Sequence, residues 1–220
     1  ILSRSYINRG IRESQSLGPY QLFSHQQQPF ELRDIPRLSY TPDLIGKSFS
    51  FPECPERLGI YPVVDSADWV NRLLTIGIKT LQLRLKQSDN AFLNAEIASA
   101  VDITEQHGDI QFFVNDHWRM AIDNGAYGVH LGQADGDPRE AREELGREAQ
   151  IGVTCHASKH LAMEAGEAGA DYVAFGAFFA STTKQSEHRP APEILEWWST
   201  LFEIPCVAIG GITPENCKPL

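Results

Sequence analysis

Several apolar runs in this chain end on residues able to bind an anion or a metal. Gln82, Arg84 and Lys86 alternate at the end of one run. In a strand they share a face, and the two cations would suit a diphosphate; a solvated strand end is the plain alternative. Asn115-Asp116 follows Phe112-Phe113-Val114. A carboxylate there suits Mg²⁺, which takes one or two carboxylates plus phosphate oxygens, and it equally suits an N-cap. Asp135, in His130-Leu131-Gly132-Gln133-Ala134-Asp135, is the candidate second carboxylate. His130 between apolar neighbours reads as a satisfied core histidine rather than a base.

Further along, Thr154 offers a hydroxyl at the end of Gly152-Val153-Thr154. Cys155 and His156 are adjacent, so on a strand they point to opposite faces, which argues against a Cys–His dyad. Ser181, Thr183 and Lys184 read either as a phosphate clamp or as a surface loop. Gly210-Gly211 lets backbone N–H groups approach a phosphate, or simply makes a tight turn.

Such groups need a frame that gathers strand ends. From Leu58 the pattern alternates strand and helix. Strands are expected at 59–64, 80–84, 111–114, 128–131, 150–153, 172–175 and 206–209. A helix after the first strand places Trp69, Val70, Leu73 and Leu74 on one stripe, with Gly77 as its stop. Helices follow at 90–107, 118–124, 138–145, 159–168 and 191–202, and Thr213-Pro214-Glu215-Asn216 opens another. Seven βα units point to a (β/α)₈ TIM barrel truncated after strand 7, with chemistry at the strand C-terminal ends. An eighth strand is expected after Leu220. The start at Ile1 rather than Met and the stop at Leu220 soon after a strand read as a fragment at both ends.

Residues 1–57 differ from the rest. Ile7 and Ile11 stand four apart, as on a helix end, before the break at Gly18-Pro19. From Gln21 to Pro55, three successive Gln and scattered prolines read as an irregular linker. The division is thus a tail and linker at 1–57 and a barrel at 58–220. A net charge of −10 over 220 residues argues against nonspecific nucleic-acid binding, though not against a small anionic substrate. Four scattered cysteines read as reduced and cytoplasmic, and no run is long enough to span a bilayer.

Taken together, residues 59–217 resemble thiamine-phosphate synthase. The matching stretches are GIYPVVD at 59–65, QLRLK at 82–86, FVND at 113–116, YGVHLGQAD at 127–135, IGVTCH at 151–156, DYVAFGAFFASTTK at 171–184 and PCVAIGGITPEN at 205–216. The resemblance implies a transferase joining a hydroxymethylpyrimidine diphosphate to a thiazole phosphate, with release of diphosphate. It implies that Gln82, Arg84, Lys86, Asn115, Thr154 and Lys184 bind the pyrimidine diphosphate. Asp116 and Asp135 would bind Mg²⁺, and Ser181, Thr183 and Gly211 would hold the thiazole phosphate. Thr154 stands where that family usually has Ser, and Ser181 where Thr is usual. The family's eighth strand, with its Val-Ser turn, has no counterpart here.

Residues 5–19, SYINRGIRESQSLGP, resemble the tail of hydroxymethylpyrimidine phosphate kinase, which implies a bifunctional kinase–synthase parent. Two other readings remain. One is a thiazole tautomerase on the same barrel, for which His156 would serve as acid–base. The other is a non-catalytic scaffold that binds a thiamine precursor or a partner protein.

Overall fold

A computed structural model describes residues 58–86, 89–180 and 188–220. Residues 1–57, where a kinase-like tail and linker are expected, lie outside the described residues. Seven strands form one sheet: β1 (Val63–Val64), β2 (Thr80–Leu83), β3 (Gln111–Asn115), β4 (Gly128–Leu131), β5 (Gln150–His156), β6 (Tyr172–Gly176) and β7 (Cys206–Ile209). Each pairs with the next in parallel, in sequence order. Six helices connect them among the described residues: α1 (Ala67–Thr75), α2 (Asn90–Glu105), α3 (Trp118–Asp123), α4 (Pro138–Leu145), α5 (Lys159–Glu167) and α6 (Glu193–Leu201).

The sheet curls. In a flat sheet β1 and β6 would lie five strand spacings apart, roughly 24 Å. Yet the hydroxyl of Tyr61, just ahead of β1, sits 2.6 Å from that of Tyr172 on β6. Strand alternation explains what fills the two faces. Leu81, Leu83, Phe112, Val114, Val129, Leu131, Ile151, Val153, Val173 and Phe175 join the core shared with the helices. Phe113, Tyr172, Ala174 and Val207 form a separate inner cluster with Leu58. The interleaved polar residues Gln82, His130 and Thr154 share the parity of that inner set and hydrogen-bond to its tyrosines or to one another.

Caps set the helix starts. Ser66, Asp89, Asp137 and Ser158 each accept a backbone N–H of the helix they precede, and each such cap is worth about 1 kcal/mol. At the lower ends of β5 and β6, the Arg142 guanidinium donates to the carbonyls of Gly146, Ala149 and Gly169 and to the Asp171 carboxylate. Asp171 also accepts the Ile151 amide. This clasp ties α4 to the strand starts, at the opposite end of the sheet from Asp116 and Thr154.

Three expectations are corrected. β1 is only two residues long, because only Val63 and Val64 pair with β2. Trp69 does not join the packed stripe: it is 47% exposed, with the Arg72 guanidinium 5.2 Å from its ring, while Ala67, Val70 and Leu74 bury the helix. Thr213–Asn216 makes a turn rather than a helix. There the Asn216 side chain accepts from the Thr213 amide and donates to the Gly211 carbonyl, and Pro219 has no N–H to continue a helical ladder. No helix among the described residues is long and apolar enough to cross a membrane.

Candidate active site

The sequence candidates that are described collect at the C-terminal ends of the strands. Arg84 and Lys86 follow β2 and line one cavity of about 350 Å³ with Pro62, Val64, Asp65 and Trp69. The Arg84 amide donates to the Val64 carbonyl at 2.7 Å, fixing the segment to β1. Arg84 Nη1 is buried without a hydrogen-bond partner among the described residues. A buried guanidinium N–H left unmatched is costly, and an anionic oxygen is the natural partner for it. Gln82 lies deeper. It is 1% exposed and donates through Nε2 to the Tyr61 hydroxyl at 3.0 Å, so it is not part of the Arg84–Lys86 cavity lining.

Asn115 ends β3, buried, opposite His130 on β4. Asp116 follows in the left-handed region, with φ +65°, and its amide donates to the His130 carbonyl at 3.0 Å. That conformation is uncommon outside glycine and costs roughly 1–2 kcal/mol for an ordinary residue. Asp116 is not the cap of α3. His117 holds that position and makes no side-chain cap bond. The capping alternative is therefore set aside, and the strained backbone turns Asp116 out of the strand direction.

Asp135 stands in the loop after β4. Its Oδ2 accepts the Gly132 amide at 2.8 Å, closing a tight turn, while Oδ1 takes no part in that bond. Two carboxylates thus follow hydrogen-bonded neighbouring strands, as hard oxygen donors suited to Mg²⁺. Among the described residues no group of three or more His, Cys, Asp or Glu is arranged to hold a metal. The donor set fits an ion that draws its remaining ligands from water and substrate phosphate.

Thr154 is half-buried near the end of β5. Its Oγ1 lies 2.8 Å from His130 Nε2, and its carbonyl accepts from the Gln133 side chain. His130 is 2% exposed, with Nδ1 2.8 Å from the Tyr172 hydroxyl, so it is a satisfied core histidine as its apolar neighbours suggested. Sequence reasoning passed over Tyr61, Tyr172 and Gln133. Gly152 was the available signal: a Cβ there would stand 1.9 Å from Tyr172 Cζ, so only glycine leaves room for the ring.

Cys155 points away from His156, into the core beneath the helices. Burial pushes its thiol up to about 12, which rules it out as a nucleophile at neutral pH. His156, with φ +52°, packs its ring 4.6 Å from that of His188.

Ser181, Thr183 and Lys184 lie outside the described residues. The chain just before them is held against the turn after β7. Phe178 and Phe179 donate to the carbonyls of Ile209 and Gly210, at 3.1 and 3.0 Å. Gly211 has φ +64°, and a Cβ on it would stand 2.3 Å from the Ala180 carbonyl oxygen. Gly211 therefore brings the two loops together, whatever its amide contacts.

A curled, sequentially wound parallel sheet with carboxylates, a hydroxyl and an unmatched guanidinium at one rim defines a TIM-type β/α barrel. Residues 60–220 match the model of the thiamine monophosphate synthase family, and the chain belongs to that family. It is similar to the thiamine-phosphate synthase of Erythrobacter litoralis, at 60% identity over 145 residues, 65% of this chain and 68% of the relative. The thiamine-phosphate synthase of Rhodospirillum centenum is 51% identical over 144 residues, 65% of this chain and 69% of its own. Among solved structures, thiamine phosphate pyrophosphorylase from Pyrococcus furiosus superposes with a TM-score of 0.62 at 28% identity, covering 72% of this chain and 78% of that one.

Proposed function

We propose that this chain is a transferase that joins 4-amino-2-methyl-5-hydroxymethylpyrimidine diphosphate to 4-methyl-5-(2-hydroxyethyl)thiazole phosphate. The products are thiamine phosphate and diphosphate. Family membership supports the reaction class, and the observation that carries the site reading is the unmatched, buried Arg84 Nη1 at the rim beside Lys86.

On this reading the bond between the pyrimidine methylene and the diphosphate breaks, and its electron pair leaves with the diphosphate. The thiazole nitrogen then supplies the pair for the new C–N bond. Arg84, Lys86, Asn115 and Lys184 bind the diphosphate and offset its growing charge. Gln82 and Thr154 line the pyrimidine side of the same site. Asp116 and Asp135 would hold Mg²⁺, which would supply further neutralisation of the leaving group. Ser181, Thr183 and the Gly211 amide hold the thiazole phosphate and aim its ring nitrogen at the methylene. No protein nucleophile is needed.

Residues 1–57 belong, on the same reading, to a kinase-like tail and linker, a division supported by the family match beginning at residue 60. Limited proteolysis should cut within 20–57 and spare the barrel; preferred cuts inside the barrel would refute that division. For the activity, the test is thiamine phosphate formation from the two substrates, followed chromatographically. A protein that isomerises thiazole precursors, or that binds both substrates without turning them over, would displace the proposal.

A further inference from the structure

The two rim carboxylates are tied to β4 by different means. The Asp116 backbone is held directly, since its amide donates to the His130 carbonyl at 3.0 Å. Asp135 stands beyond β4, in the loop that leads to the capped start of α4. That loop folds back on itself. Asp135 Oδ2 accepts the Gly132 amide at 2.8 Å, and the Asp135 amide donates to the Gly132 carbonyl at 3.3 Å. A Cβ on Gly132 would stand 2.5 Å from Asp135 Oδ2, so glycine there makes room for the carboxylate. These bonds fix the carboxylate within turn 132–135. They do not fix the turn against the barrel.

Gln133 supplies that tie. The β4–β5 ladder ends at Leu131 and Val153. Just past it, Gln133 Nε2 donates to the Thr154 carbonyl at 2.5 Å, so a side-chain amide adds one more rung where the backbone has turned away. β5 is irregular at the same point, with a register shift against β6 between Thr154 and His156. Gln133 is exposed, and a Gln side chain loses about as much rotamer freedom on being fixed as one neutral hydrogen bond returns. The bond therefore adds little to stability, and its consequence is placement. Asp116 and Asp135 follow neighbouring strands, and Mg²⁺ demands near-ideal octahedral geometry, so an ion shared between them tolerates little error in ligand position. We propose that Gln133 is a positioning residue: it clamps turn 132–135 to the end of β5 and so holds Asp135 where it can share Mg²⁺ with Asp116. This rests on the function proposed above, with its shared metal ion.

Mn²⁺ takes the same hard oxygen ligands and reports the site without turnover. Its binding to the full-length protein is followed by the EPR signal of the free ion. Gln133→Met keeps the length of the side chain and removes its donor. It should weaken Mn²⁺ binding about tenfold, the scale of one hydrogen bond, with the melting temperature unchanged. Gln133→Ala should do the same. In the Asp135→Ala background Gln133→Met should add nothing, because its effect passes through that carboxylate. In turnover, the Mg²⁺ concentration for half-maximal rate should rise by about the same factor, while kcat at saturating Mg²⁺ and KM for the thiazole phosphate stay within about twofold of the parent. Mn²⁺ binding that is lost in Asp135→Ala yet unchanged in Gln133→Met would overturn the proposal. So would a kcat that stays low at saturating Mg²⁺, the mark of a side chain that acts on substrate. If the unsubstituted protein binds no Mn²⁺, or Asp135→Ala binds it equally well, the metal assignment itself fails and the proposal falls with it.

Discussion

Replacing Asp116 separates chemistry from folding, because its backbone and its carboxylate pull in opposite directions. With φ +65°, Asp116 occupies a conformation that glycine adopts without strain. In Asp116→Gly, relief of about 1 kcal/mol of left-handed strain is set against about 0.5–1 kcal/mol of extra chain entropy in the unfolded state. These backbone terms nearly cancel, so a fall in the melting temperature of Asp116→Gly reads the loss of the carboxylate's own interactions. Asp116→Ala keeps the strain and loses the short polar side chain that makes this region tolerable for Asp, so it should melt lower than Asp116→Gly. Both should lose diphosphate release by at least ~100-fold, since a metal ligand contributes several kcal/mol of charge stabilisation. Thermal melts and a diphosphate-release assay on the two variants give all four numbers. Near-parental turnover in Asp116→Gly would refute the metal assignment, and a Gly variant less stable than the Ala variant would refute the strain argument.

Arg84→Ala should weaken pyrimidine diphosphate binding by ~10–100-fold, the range for a charge-assisted contact, and leave thiazole phosphate binding unchanged by calorimetry; equal weakening of both would point to general damage. Gly211→Ala places a methyl 2.3 Å from the Ala180 carbonyl oxygen at a positive φ, so the melting temperature should fall and KM for the thiazole phosphate should rise; an unchanged KM would remove Gly211 from that subsite. Cys155, with its thiol raised to about 12, stays protonated at pH 8, where only ~10⁻⁴ of it is thiolate. Iodoacetamide should modify exposed Cys217 and spare Cys155 in the native protein, as read by mass spectrometry. Asp171→Ala removes the carboxylate that pairs with Arg142 and leaves the Ile151 amide without its acceptor at the base of the barrel, and should cost about 3–5 kcal/mol in chemical denaturation with no change in substrate affinity.

The elements most legible in the sequence are those with local punctuation. β4, α4 and β7 fall where read, at Gly128–Leu131, Pro138–Leu145 and Cys206–Ile209. Asp137-Pro138 announces α4 by a cap and a first-turn proline, and the strands are short apolar runs bounded by turn residues. β5 was expected to stop at Val153 but continues to His156, because polar side chains at its end are accepted by partners inside the barrel. β1 was overestimated, because an apolar run does not reveal how many of its residues find a ladder partner. The rim positions were legible as strand-end polar residues. The left-handed turn at Asp116, the depth of Gln82 and the convergence of Tyr61, His130 and Tyr172 were not. Those depend on curvature, which brings together residues with no local relation in sequence.

Phosphorus NMR of the protein with Mg²⁺ and both substrates follows the coupling reaction itself. One diphosphate should be released for each thiamine phosphate formed, with both signals depending on the presence of the thiazole phosphate. Loss of the pyrimidine diphosphate signal without thiamine phosphate, or a spectrum unchanged while both substrates are bound, would contradict it.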